Sequence, residues 1–154
     1  MKCELFFIGK TTEKYLQEGI DQYLKRLKHY LPVSTTIIQP GSGTDPLKVI
    51  MAECDDVLSR IKPRDLVVLL DERGVSLTSI EFSSKIQQWM VQGHQRLIFI
   101  IGGAYGVNEE LKKKANIVLS VSSFTLTHQM IRLFFTEQLY RAFTIIKGEK
   151  YHHV

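Results

Sequence analysis

Cysteine is scarce in this chain of 154 residues: there are only two, Cys3 and Cys54. Neither forms a CxxC pair or sits beside a histidine cluster, so the spacing offers neither a disulfide framework nor a zinc site. Two isolated thiols in apolar segments fit a reducing cytoplasm. Long hydrophobic runs are missing too. Nothing approaches the roughly 18 apolar residues of a membrane span, and Met1 to Gly9 is too short for a signal sequence with its cleavage site. A soluble, unexported protein with no membrane association is expected. Linkers, repeats and low-complexity stretches are absent, so residues 1–154 are expected to form a single domain, long enough to bury a sizeable core. Nor is there an extreme of charge: 20 basic residues against 16 acidic leave a net +4. That balance leans toward a polyanionic partner without drawing a footprint. The basic clusters at Lys25, Arg26 and Lys28, at Arg60, Lys62 and Arg64, and at Lys112 to Lys114 also read as helix ends, where cations complement the dipole.

What is present is an alternation of β-rich apolar runs with helix-period segments, the pattern of an α/β domain with a mostly parallel sheet. Five strands and five helices are expected. The strands are Cys3 to Ile8, Thr35 to Gln39, Leu66 to Leu70, Leu97 to Ile101 and Ile117 to Ser120. The third and fourth lack polar alternation and read as central strands covered on both faces. Leu16, Ile20, Tyr23, Leu24, Leu27 and Leu31 give an amphipathic helix ending near Pro32. Asp45-Pro46 opens a second helix as N-cap and first helical residue. Thr78-Ser79-Ile80-Glu81 has capping-box spacing. Asn108 caps a short fourth helix, and the last runs from near Thr127 to a C′ glycine at Gly148. Pro40-Gly41-Ser42-Gly43-Thr44 reads as a mobile loop.

Candidate chemistry concentrates after Ile101. Gly102-Gly103-Ala104-Tyr105-Gly106 follows a buried strand and precedes a helix, which suits backbone approach to a ligand or a tight turn with positive φ. It has neither the GxGxxG order of a dinucleotide site nor the Gly-Lys-Ser/Thr of a P-loop. The segment Leu119 to Gln129 mixes hydroxyls with apolar side chains at a strand end, suiting an adenine and a sulfonium better than a phosphate. His128 could serve as base, RNA contact or structural hydrogen-bonder. Arg132, Tyr140 and Arg141 are polar groups on a helix otherwise apolar nearly all round, a type often buried in an oligomer, so a homodimer is expected. The ending Tyr151-His152-His153 joins a stacking ring to imidazoles, a composition shared by frayed termini and by surfaces that bind an unstacked base. Those two histidines lack a Cys, Asp or Glu frame, and no metal is expected.

Ile101 to Gly106, Leu119 to Leu126, His128 to Arg132, Glu137 to Phe143 and Tyr151-His152, in that order, resemble the RlmH family of small SPOUT-superfamily ribosomal RNA methyltransferases. The likeness runs over essentially the full length, including Ile8-Gly9-Lys10 and Tyr23 to Leu27. It implies an α/β fold with a C-terminal trefoil knot, which pattern reading alone would have rejected as topologically rare. It also implies a homodimer and S-adenosylmethionine-dependent methylation of N3 of a pseudouridine, in the helix 69 hairpin of 23S rRNA in the 70S ribosome. The cofactor positions carry over to Leu70, Gly102 and Val121, Ser122, Ser123, Phe124, Thr125 and Leu126. The RNA side carries over to His128, Arg132, Tyr140, Arg141, Tyr151, His152 and His153, with His128 and Arg132 as the catalytic candidates and Arg132 and Arg141 as phosphate or base contacts. One departure is Thr127, which stands where the family usually has proline. The rival reading is a ribosome-associated factor without enzymatic activity, its cofactor pocket decayed.

Overall fold

The computed structural model describes residues 1–153. It contains five strands, β1 (Lys2–Ile8), β2 (Val33–Ile38), β3 (Asp65–Ser76), β4 (Arg96–Ile101) and β5 (Ile117–Ser120), and five helices. The helices are α1 (Lys14–Leu27), α2 (Pro46–Arg60), α3 (Ser79–Val91), α4 (Glu109–Lys114) and α5 (Met130–Ile146). All strand pairs are parallel, in the order β2-β1-β4-β3-β5. The expected α/β class with a parallel sheet holds, and β4 and β3 lie inside the sheet as their unbroken apolar runs require.

Alternate residues of each strand feed different layers. Leu5, Phe7, Val68, Phe99 and Ile101 pack against α1, α3 and α5. Phe6, Ile8, Val67, Leu69, Ile98 and Ile100 pack on the other side with Cys54 and Val57 of α2 and Leu111 of α4. The apolar faces of five helices thus cover both sides of one sheet. Both cysteines are buried, and burial raises the pKa of each thiol, which keeps them protonated and unreactive.

Local signals explain most helix boundaries. Asp45 accepts the Leu47 N–H ahead of Pro46, and Thr78 and Glu81 close a full capping box. Asn108 accepts the Leu111 N–H. At the far end of α5, Gly148 has φ +67°, and bonds from Gly148 N–H to Ile145 O and Glu149 N–H to Thr144 O complete a Schellman motif. That motif turns the tail back along the helix.

Three elements depart from expectation. α1 ends at Leu27, and a hydrogen-bonded turn through Tyr30 carries Leu31 into the core. β3 does not stop at Leu70: it runs to Ser76, with a register shift against β5 between Leu70 and Val75. α5 starts at Met130, preceded by a turn in which the Thr127 hydroxyl accepts the Met130 N–H. Thr127 therefore supplies a cap that proline has no side-chain acceptor to make. The loop at Gly41 is anchored, because its N–H donates to the buried carboxylate of Glu53.

Candidate functional site

Parallel sheets expose strand-end loops at their carboxyl edge, and ligands bind there. In this chain the loops after β3, β4 and β5 enclose one open cavity of about 610 Å³, a size typical of small-molecule and cofactor sites. Leu70, Gly102, Val121, Ser122, Phe124, Leu126 and His128 line it. The other two residues expected at the cofactor, Ser123 and Thr125, are exposed and do not line it. The loop between them is braced by its own hydroxyls: Ser120 Oγ donates to Ser122 O, and Ser122 Oγ accepts the Phe124 N–H.

The glycine turn earns its composition from crowding and from one turn conformation. A Cβ on Gly103 would lie 2.9 Å from Glu53 Oε2 and 3.2 Å from Ile8 Cγ2, and one on Gly102 would lie 3.1 Å from Val107 Cγ1. Only Gly106 in this turn needs the left-handed region, at φ +77°, and its N–H closes the turn on Gly103 O. Bare backbone is therefore presented to the cavity on one side while Glu53 fills the other.

Asp71, Glu72, Arg73 and Lys112 also line the cavity, and none was expected there from sequence. The available signal was three charged residues running on from the apolar Leu66 to Leu70. Gly74 permits that continuation: a Cβ there would meet the Val118 carbonyl carbon and oxygen at 2.6 Å. The end of β3 thus lies directly against β5, and its charged residues become a wall of the cavity.

His128 sits at the mouth, half-buried. Burial lowers its pKa below the usual imidazole value, the Arg132 cation adds to that, and Glu53 opposes it. A neutral ring able to accept a proton is the form favoured near pH 7.

Arg132 occupies a different place from the one expected. It is fully buried, donating to Ile8 O at 2.6 Å, Gly9 O at 2.9 Å, Thr11 Oγ1 at 3.1 Å and His128 O at 3.2 Å, and it lies over the Phe7 ring at 4.9 Å. Burial pulls its pKa down to about 10, leaving it charged at neutrality. Its position on α5 turns it toward the core, where the end of β1 offers carbonyl acceptors, so it touches no solvent-facing phosphate. Gln129 makes the same connection, accepting the Thr12 N–H and donating to Lys10 O. Together they tie the β1–α1 loop to the start of α5.

Tyr140, Arg141, Tyr151, His152 and His153 do not line the cavity. The first four form a second group along the carboxyl half of α5. Arg141 pairs with Glu137 and stacks over the Tyr151 ring at 4.8 Å. Its Nη1 lies 3.3 Å from His152 Nδ1, and Tyr151 packs edge-on against Tyr140. His153 is exposed at the end of the described tail. Among the described residues, no group of three potential metal ligands comes together, and no helix is long and apolar enough to cross a membrane.

A parallel α/β sheet whose last three strand-end loops wall one cavity of this size is an architecture suited to holding a small molecule or cofactor at the carboxyl edge. The family described as predicted SPOUT methyltransferase matches residues 1–152, and the chain belongs to that family. It is similar to a protein of Cytophaga hutchinsonii, 46% identical over 99% of this chain and 100% of that one. Proteins of Christiangramia forsetii, at 47% identity, and of a Geobacter species, at 40%, each align over 99% of both chains. All three relatives are named ribosomal RNA large subunit methyltransferase H.

Proposed function

We propose that this protein methylates large-subunit ribosomal RNA with S-adenosylmethionine as donor, at N3 of a pseudouridine in the helix 69 hairpin of 23S rRNA in the 70S ribosome. The observation that carries the proposal is the convergence of three strand-end loops on one cavity, in a chain matched end to end by relatives of that name. The residues present fit the cofactor. Bare glycine backbone at Gly102, hydroxyl and carbonyl groups of the Val121 to Leu126 loop, and the apolar Leu70 and Ile131 match an adenosyl group.

The donor supplies a methyl already activated on a sulfonium. What remains for the chain is alignment and removal of the N3 proton. Gly102, Leu70 and the 121–126 loop hold the donor, and His128 at the mouth accepts the proton in its neutral form. Arg132 keeps His128 in place through its carbonyl and favours the unprotonated ring, acting as a positioning residue. In this reading the segments at Leu70, at Gly102 and from Val121 to Leu126 belong to a trefoil knot.

Tyr140, Arg141 and the tail hold the RNA. They lie outside the cavity of their own chain, which supports a homodimer whose second copy completes each site. Mixing subunits that lack residues 151–154 with subunits altered at Gly102 tests this: restored activity in the heterodimers is expected, and none would argue for sites confined to one chain. The function itself is tested by mass spectrometry of 23S rRNA from cells lacking the gene. Loss of the methyl group on that pseudouridine, restored by the gene, is expected; an unchanged modification would overturn the assignment. Calorimetric binding of S-adenosylmethionine separates an enzyme from a ribosome-associated factor that has lost its cofactor.

A further inference from the structure

One carboxylate gathers the tail group, and neither the relatives' names nor the motifs assign it. Glu137 lies on α5 with its side chain 18% exposed. Its Oε1 accepts from Arg141 Nη2 at 2.5 Å and from the Tyr151 hydroxyl at 2.9 Å. The other oxygen, Oε2, accepts from Gln138 Nε2 at 2.8 Å. Gln138 Oε1 in turn accepts from the Ser79 hydroxyl at the start of α3. Gln138 and Ser79 border a small crevice with Ser120 and Val121, residues that also line the cofactor cavity. Glu137 thus stands between the wall of the cavity and the tail, and it directs two groups of opposite kind at once.

Each bond fixes a degree of freedom that RNA recognition needs fixed. Taking one guanidinium nitrogen and the phenol on a single oxygen holds Arg141 over the Tyr151 ring, with Nη1 toward His152. A planar cation held this way presents its remaining donors in one direction, the arrangement suited to a phosphate or a base edge. The phenol of Tyr151 is kept protonated, its pKa raised by burial and by its bonds to Tyr23 and Glu137, so it remains a donor to the carboxylate. Without Glu137, Arg141 loses its ion pair, and the Tyr151 hydroxyl is left with a long hydrogen-bond contact of 3.4 Å to Tyr23.

We infer that Glu137 is a positioning residue for the RNA substrate: its carboxylate sets Arg141 and the Tyr151-His152 tail in the geometry that receives the target strand. The inference rests on the rRNA reading above. It separates Glu137 from the donor side of the reaction, because no atom of Glu137 lines the cavity.

The test is steady-state methyl transfer to 70S ribosomes by wild type, Glu137→Ala and Glu137→Gln, with calorimetry for S-adenosylmethionine and thermal melting alongside. Glu137→Ala is expected to raise the KM for ribosomes roughly 10- to 100-fold, the range that one lost charge-assisted hydrogen bond corresponds to. Donor affinity should stay within about twofold, and Glu137→Gln, which keeps an acceptor, should recover part of the loss. Tyr151→Phe added to Glu137→Ala should raise KM by less than it does alone, because the two residues act through one bond. An unchanged ribosome KM in Glu137→Ala, or an equal loss of donor affinity, overturns the inference while the function stands. Wild-type protein that leaves ribosomes unmethylated overturns the function, and the inference with it.

Discussion

His128 and Arg132 lie four positions apart, yet the fold gives them opposite tasks. The histidine opens into the cavity, while the arginine is enclosed and donates to carbonyls at the end of β1. Burying a cation is costly unless its donors are met, and here several are. Replacing Arg132 by Met keeps the volume but leaves Ile8 O and Gly9 O without partners. A loss of about 2–6 kcal/mol is expected, at roughly 1–3 kcal/mol for each of the two carbonyls, read from urea unfolding curves. The histidine carries a pH signature. Its folded pKa lies below the unfolded value of 6.5, so in the interval between them the unfolded chain binds more protons and stability rises with pH. On acidification from about pH 7.5 to about pH 5, wild type should therefore lose more stability than His128→Gln. Titration of the His128 ring by NMR should show a midpoint below that of a free imidazole; a midpoint above it would refute the assignment.

At the scale of elements, strands and capped helices were legible wherever a local rule acted alone. Leu66 to Leu70 and Leu97 to Ile101 announce buried strands by unbroken apolar character, and Asp45-Pro46 and Thr78 to Glu81 carry their caps within four residues. The continuation of β3 through Asp71, Glu72 and Arg73 was not legible, because charged residues look like a loop when the strand that pairs with the flanking Leu70 and Val75, β5, is remote in sequence. Arg132 was read as a surface contact for the same reason: the acceptors that enclose it lie at Ile8 to Thr11, and helix periodicity carries no information about them. The fate of the tail depended likewise on Glu137 and Tyr23. Gly74 exposes this dependence to experiment. Gly74→Ala drives a methyl into the Val118 carbonyl, a backbone obstacle that cannot rotate aside. It should cost about 1–3 kcal/mol and weaken S-adenosylmethionine binding at least about tenfold, since 1.4 kcal/mol at the cavity wall is enough for that. Calorimetry on protein shown to be folded by circular dichroism checks it; unaltered binding would mean that the junction of β3 and β5 does not shape the site.

Across the whole molecule, structure and chemistry separate along the strand axis. At the amino ends, Arg96 joins Glu4, Asp65 and the Arg60 carbonyl, a bracket across β1, β4 and β3 far from the cavity. At the carboxyl ends, the loops stay open, and α5 links the cavity near Ile131 to Arg141 over roughly 15 Å at 1.5 Å per residue. One target base cannot bridge that span, so a tail that works on the RNA bound at a cavity is best supplied by a second copy. An apolar face is available for the association: Phe134 and Met130, one turn apart on α5, are 38% and 36% exposed, and neither lines the cavity. Phe134→Glu places a charge on that face while leaving the core and the donor loops untouched. For the proposed homodimer, sedimentation should find dimers of the wild type and monomers of the variant, an effect of at least about 2 kcal/mol for an interface anchor. S-adenosylmethionine binding should persist, while methyl transfer to ribosomes falls at least about a hundredfold, as the proposed two-chain site requires. A monomer with full activity would show that one chain suffices, and a persistent dimer would place the interface on another face.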